Sequence, residues 1–220
     1  MPHRKRRLRG AVLCLAALAL VPPARAQPLT PMAADSPPAA ALLARLRAGG
    51  LVLFFRHAGT LGQPCDRSFR VGDRAGQRNL SEAGREQAAT LGPALARLGV
   101  PAALPVLSGP VHRARDTAEL AFGAANVEVT DSLLADDFSG PRLAWVLDEH
   151  RRLFSAPVPA GTNRVLVGHR TPAIMVAGAP LSARALPESG AAVIEPLGEG
   201  FRVLGVLTFV PLDGDGFHGC

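Results

Sequence analysis

Leu51-Val52-Leu53-Phe54-Phe55-Arg56-His57-Ala58-Gly59-Thr60 is a run of five apolar residues, then an arginine–histidine pair, then a glycine. A short continuous apolar run bounded by turn signals predicts a strand over 51–55 that is buried on both faces. In open α/β sheets, ligands sit just beyond the carboxyl ends of the strands. Arg56 and His57 therefore stand at the edge where chemistry is done. A guanidinium offers a planar fork of donors to a phosphate. A neutral imidazole beside it can act as a nucleophile.

Two further segments repeat the design. Val106-Leu107-Ser108 runs into Gly109-Pro110-Val111-His112-Arg113-Ala114, and Val165-Leu166-Val167 runs into Gly168-His169. If the three strands are parallel, Arg56, His57, Arg113 and His169 converge. Arg113 falls in the first turn of a helix expected over 111–122, where free backbone amides also favour an anion. Two arginines, two histidines and a helix N-terminus suit a dianionic phosphoryl group. His112, His150 and His218 lack such a setting and read as structural or surface residues, with His112 able to line the pocket beside Arg113.

The remaining elements alternate between strand and helix. Ser36-Pro37 reads as an N-cap with proline in the first turn of a helix that ends at Gly49-Gly50. Ser81 caps a helix running to Leu98, which Pro93 is expected to kink or divide. A third strand is expected over 127–130. A helix over 142–154 would carry Trp145 on its apolar side, and another starts at Thr171. The stretches 191–195 and 201–209 read as a terminal hairpin. This pattern predicts an α/β fold: a three-layer α/β/α sandwich with a mostly parallel mixed sheet and a C-terminal hairpin. Residues 58–80 form a long loop rich in glycine, arginine and aspartate, a length usually functional or disordered.

The first 26 residues read as a secretory signal peptide: a basic head (Arg4 to Arg9), an apolar run of 12 residues from Gly10 to Val21, and a cleavage site at Ala24-Arg25-Ala26. The run is too short to span a bilayer, so no stable span is expected after cleavage. This segment carries six of the 24 basic residues and none of the 18 acidic ones. Removing it leaves 18 basic residues against 18 acidic ones, so the +6 charge of the whole chain gives no support for nucleic-acid binding. The expected organisation is a signal peptide (1–26), a flexible lead-in (27–36) and a single domain (37–220), in the periplasm or secreted. Export favours oxidised cysteines, and the sequence leaves a Cys65–Cys220 bridge open.

Taken together, the motifs resemble the histidine phosphatase superfamily, in the branch related to cofactor-dependent phosphoglycerate mutases. Arg56-His57-Ala58 resembles the Arg-His-Gly signature, with alanine for glycine. Leu80-Ser81-Glu82-Ala83-Gly84 through Gln87-Ala88 is similar to the Leu-Thr-x-x-Gly-x-x-Gln-Ala segment. Ser108 to Ala118 is similar to Ser-Ser-Pro-x-x-Arg-Ala-x-x-Thr-Ala, with Gly109 for the second serine. Gly168-His169 matches the strand-Gly-His segment, followed here by Arg170.

The resemblance implies that His57 is the nucleophile and forms a phosphohistidine. Arg56, Arg113 and His169 would bind and stabilise the phosphoryl oxygens. It implies no cofactor and no metal, and the sequence holds no HExxH or other cluster at metal-ligand spacing. A carboxylate would supply the general acid: Glu188 is ranked first, with Asp136 and Asp137 as rivals. The substrate would be a small-molecule or envelope-linked phosphomonoester, and export favours a phosphatase over a mutase. The alternative is a domain that binds phosphorylated ligands without turnover.

Overall fold

Strand β2 (Val52–Arg56) lies at the middle of the sheet, and every residue in it is buried. The structure, a computed structural model, describes residues 27–219. Alternation along β2 feeds two cores. Leu53 and Phe55 point to one face, and Val52 and Phe54 to the other. An apolar residue at every position is what a strand covered on both sides requires. The strand starts one residue later than expected and includes Arg56, which pairs in register with Gly168.

Among the described residues, seven strands form one sheet: β1 (Met32–Ala33), β2, β3 (Val106–Ser108), β4 (Val127–Val129), β5 (Arg164–Gly168), β6 (Gly190–Pro196) and β7 (Phe201–Thr208). Their order is β1-β7-β6-β2-β5-β3-β4. β2, β5, β3 and β4 are mutually parallel. β6 runs antiparallel to both β2 and β7, so the terminal hairpin makes the sheet mixed, as expected.

Helices α1 (Ala40–Ala48), α2 (Glu82–Arg97) and α3 (His112–Phe122) cover the Leu53–Phe55 face. On the other face lie α5 (Leu143–Ser155) and α6 (Arg170–Ala177), while the single turn α4 (Asp136–Ser139) precedes α5. The result is the three-layer sandwich read from the sequence. No helix among the described residues is long and apolar enough to cross a membrane.

Several local expectations need correction. Met32 and Ala33, in the segment read as a flexible lead-in, pair in parallel with Leu207 and Thr208 at the sheet edge. Ser36 does not cap a helical amide. Its hydroxyl donates to the Ala33 carbonyl instead, and Pro37–Ala39 form a 3-10 turn ahead of α1. Pro93 does not divide α2, which is one element from Glu82 to Arg97. Proline removes the bond to the carbonyl four residues back, but Pro93 and Ala89 both lie on the solvent face. Leu91, Ala94 and Leu95 hold the helix to the core. Trp145 is not on the buried side of α5. Val146, His150, Leu153 and Phe154 take that stripe, and Trp145 stays 45% exposed beside Arg142. The expected signal peptide and Cys220 lie outside the described residues. Cys65 is disulfide-bonded.

Candidate active site

At the carboxyl edge of β2, β5 and β3, one cavity of about 280 Å³ is lined by Arg56, His57, Arg113 and His169. The parallel register explains the convergence, because Arg56 sits opposite Gly168 and Ser108 sits opposite Val167. The residue after each strand therefore emerges at the same level. All four side chains are buried, between 3% and 6% exposed, and the two imidazole centroids lie 5.4 Å apart.

The backbone of His57 is held from both sides. Its amide donates to the Gly168 carbonyl (3.1 Å), and its carbonyl accepts from the Ser189 amide (3.0 Å). The imidazole Nδ1 lies 2.9 Å from the Ala58 carbonyl. A carbonyl only accepts, so Nδ1 carries the proton and Nε2 keeps its lone pair. Burial, and then Arg56, Arg113 and His169, hold the His57 pKa well below the ordinary imidazole range. His169 is lowered in the same way, first by burial and then by Arg113. Both rings are therefore neutral at pH 7, and His57 has the form a nucleophile needs.

Each arginine is braced by a carboxylate. Arg56 donates to Glu188 (3.1 Å), and Arg113 donates to Asp66 (3.1 Å). Burial lowers the Arg56 pKa to about 10, so it stays charged at neutral pH. In both guanidiniums the Nε has no partner among the described residues, and the same holds for His169 Nε2. Unsatisfied buried donors are uncommon in native proteins. Here they sit on the side chains that line one cavity, where an anion would satisfy them.

The segments around the site show why their residue types are needed. The Ala58 amide donates to Thr117 Oγ1, whose hydroxyl donates to the Arg113 carbonyl, so α3 is locked to the loop after β2. The Ala58 methyl, in place of the expected glycine, packs with Leu80 and Ala88. Gly84 lets the first turn of α2 press against that loop, since a Cβ there would lie 1.8 Å from the Gly59 carbonyl oxygen. Gly109, where the resemblance expects serine, faces the Leu133 carbonyl, and a Cβ would come within 2.3 Å of it. Gly84→Ala is expected to destabilise the fold by about 1–3 kcal/mol, the usual cost of overpacking. Urea unfolding would measure it, and an unchanged midpoint would rule out a tight approach of α2.

The carboxylate expectation changes. Glu188 does not line the cavity. It is 1% exposed and lies behind Arg56, accepting from Arg56, Thr60 and His218. A carboxylate committed to three donors away from the cavity is a brace and not a proton donor to a leaving group. Asp136 and Asp137 do line the cavity, at the start of α4. Burial, and then the neighbouring Asp137, raise the Asp136 pKa, which favours its protonated form.

Asp66, Phe69 and Arg78, from the long loop over 58–80, and Arg170 also line the cavity. His112 does not line it. His150 is a core residue: fully buried, packed on Phe54 and Phe154, bonded to the Val146 carbonyl, and lowered by burial to about 4. Among the described residues no group of three or more His, Cys, Asp or Glu is arranged to hold a metal ion.

Residues 52–135 match the family model of the histidine phosphatase superfamily, branch 1. This segment belongs to the histidine phosphatase superfamily. It contains the Arg-His pair, the α2 motif and Arg113 and ends one residue before Asp136, while His169 and the tail lie further beyond it. No curated protein matches the chain. Solved structures of similar shape include the protein histidine phosphatase SixA complexed with tungstate. That pair is 16% identical, covers 72% of this chain and 97% of the other, and has a TM-score of 0.49. A mycobacterial glucosyl-3-phosphoglycerate phosphatase with VO3 is 20% identical over 71% of this chain and 98% of its own, with a TM-score of 0.47.

Proposed function

We propose that the chain is an exported phosphatase that hydrolyses a phosphomonoester through a phosphohistidine on His57. The observation that carries this reading is the convergence of Arg56, His57, Arg113 and His169 on one cavity, with His57 neutral and its Nε2 lone pair free. Export rests on the basic head, short apolar run and small-residue cleavage site of residues 1–26.

In the first step, Nε2 of His57 attacks phosphorus in line with the ester oxygen. The P–N bond forms as the P–O bond breaks, and Asp136 gives its proton to the leaving oxygen. Arg56, Arg113 and His169 donate to the three peripheral phosphoryl oxygens, whose charge they stabilise in the transition state. In the second step, water attacks phosphorus, the Asp136 carboxylate takes its proton, and the P–N bond breaks. Inorganic phosphate leaves, and both His57 and Asp136 return to their starting forms. No metal enters either step.

The substrate is a small-molecule or envelope-linked phosphomonoester. Arg78 and Arg170 supply positive charge beyond the phosphoryl group, and Phe69, 53% exposed, offers an aromatic face at the cavity. The direct test is turnover of p-nitrophenyl phosphate by the purified protein in EDTA. Phosphate release supports the reading. Phosphate binding without turnover would favour the non-catalytic phospho-ligand domain.

Arg113 provides a second test. Lysine keeps the charge but loses the bidentate fork, and it cannot both reach Asp66 and present a second edge to the phosphate. Arg113→Lys is expected to cost about 2–4 kcal/mol in kcat/KM, close to the loss in Arg113→Ala. A lysine variant equal to wild type would mean that bulk charge suffices.

A further inference from the structure

We infer that Phe217 and His218, in the segment after β7, are positioning residues for Arg56 and complete the phosphoryl site from behind. This inference rests on the phosphatase reading of that site.

A guanidinium has five N–H donors in a fixed plane. In Arg56, NH1 donates to the Leu186 (3.3 Å) and Gly216 (3.5 Å) carbonyls, and NH2 donates to Glu188 (3.1 Å). One face of the plane lies on the Phe217 ring, 5.1 Å from its centroid. These contacts occupy the terminal nitrogens and leave Nε–H without a partner among the described residues. The tail thus sets both the tilt of the fork and which of its edges stays free.

His218 acts one contact further back. Its Nδ1 lies 2.7 Å from Glu188 Oε2, while Oε1 of the same carboxylate accepts from Arg56 and Thr60. The Glu188 amide donates to the Gly216 carbonyl (2.9 Å), which ties the loop to the tail a second time. Without the imidazole, a carboxylate oxygen that is almost fully buried loses this donor, and Glu188 has reason to turn away from Arg56. The second ring nitrogen of His218 faces Asp213 at 3.6 Å.

Phe217 serves more than Arg56. Arg170, which also lines the cavity, lies 5.5 Å from the ring centroid, and Arg184 lies 4.2 Å from it. Three like charges gather on the electron-rich faces of one ring, an arrangement that cation–π attraction favours. The His218 carbonyl accepts from Arg78, another cavity residue, at 2.5 Å. One short stretch of tail therefore touches three of the four arginines that line the cavity.

The test uses four variants of the whole protein. Phe217→Leu keeps bulk but loses the π face, and Phe217→Tyr keeps the face. His218→Ala removes the donor, and His218→Asn restores one at similar reach. For each, kcat and KM for p-nitrophenyl phosphate, the Ki of inorganic phosphate, and Tm are measured. A misplacement of about 1 Å can cost on the order of 100-fold in rate. Phe217→Leu and His218→Ala are expected to lower kcat/KM by roughly 10–100-fold and to weaken phosphate binding. Phe217→Tyr and His218→Asn should recover most of the loss at similar Tm.

Unchanged kcat/KM in both Phe217→Leu and His218→Ala overturns the inference, as does a loss that follows Tm alone and ignores the conservative variants. If wild type turns over no aryl phosphate, the phosphatase reading falls separately. Calorimetric titration with inorganic phosphate then decides the positioning role: weaker binding in Phe217→Leu upholds it, and equal binding overturns it.

Discussion

Replacing His57 with asparagine is expected to lower kcat/KM for p-nitrophenyl phosphate by about 10⁵-fold or more, the scale of loss when a nucleophile is removed. The fold should survive. Asparagine can still donate to the Ala58 carbonyl, as Nδ1 does now, and the backbone bonds to Gly168 and Ser189 do not depend on the ring. A phosphoenzyme that is stable in alkali and labile in acid should be trapped with wild type and absent with the variant. Near-normal turnover in His57→Asn would remove the phosphohistidine from the mechanism.

The second large effect is expected at Asp136, and it depends on the leaving group. An alkyl phosphate departs as a basic alkoxide and needs a proton in the transition state, whereas nitrophenolate needs it far less. Asp136→Asn should slow alkyl-phosphate turnover by roughly 10²–10⁴-fold, the range for general acid catalysis, with a much smaller loss on the aryl substrate.

The pH profile gives an independent reading. Asp136 must be protonated to act, and burial and Asp137 raise its pKa. Turnover of the alkyl ester by wild type should therefore fall as pH rises through that raised value. His57 must be unprotonated, and its lowered pKa keeps it so to below the ordinary imidazole range. The expected optimum is acidic. Asp136→Asn should lack the alkaline fall that wild type shows on the same ester, a comparison in which the substrate's own ionisation cancels. An equal loss on both esters, with the pH profile unchanged, would mark Asp136 as a positioning group.

The strands and the residues that follow them were readable from the sequence, because burial on both faces leaves an uninterrupted apolar run. The chain must turn polar where it leaves the sheet, so Arg56, His57, Arg113 and His169 stood out. The carboxylate did not. Asp136 comes soon after β4 ends and Glu188 just before the antiparallel β6 begins, so both fall at the same sheet edge, and no periodicity distinguishes the front of Arg56 from its back. Only the packing of the tail places Glu188 behind the guanidinium. His218 carried no signal, since its partner lies 30 residues away across a hairpin. Asp66 sits in a loop whose many charges look interchangeable until one of them meets Arg113. Pro93 and Trp145 were misplaced for a simpler reason. Local propensity sets an expectation that the burial stripes of α2 and α5 override.

The central place of β2 affects how the chain is made. Both strands that flank it, β5 and β6, are formed by residues from Arg164 onward. During synthesis, the first strand of the motif must wait for more than a hundred further residues before either of its edges is paired. Arg56 meets Glu188 across 132 positions. Contacts of such separation form late and slowly. A nascent or truncated chain would thus expose an apolar strand open on both sides, a template for self-association. It would also hold no assembled phosphoryl site, so catalytic competence arrives only with the last strands and the tail.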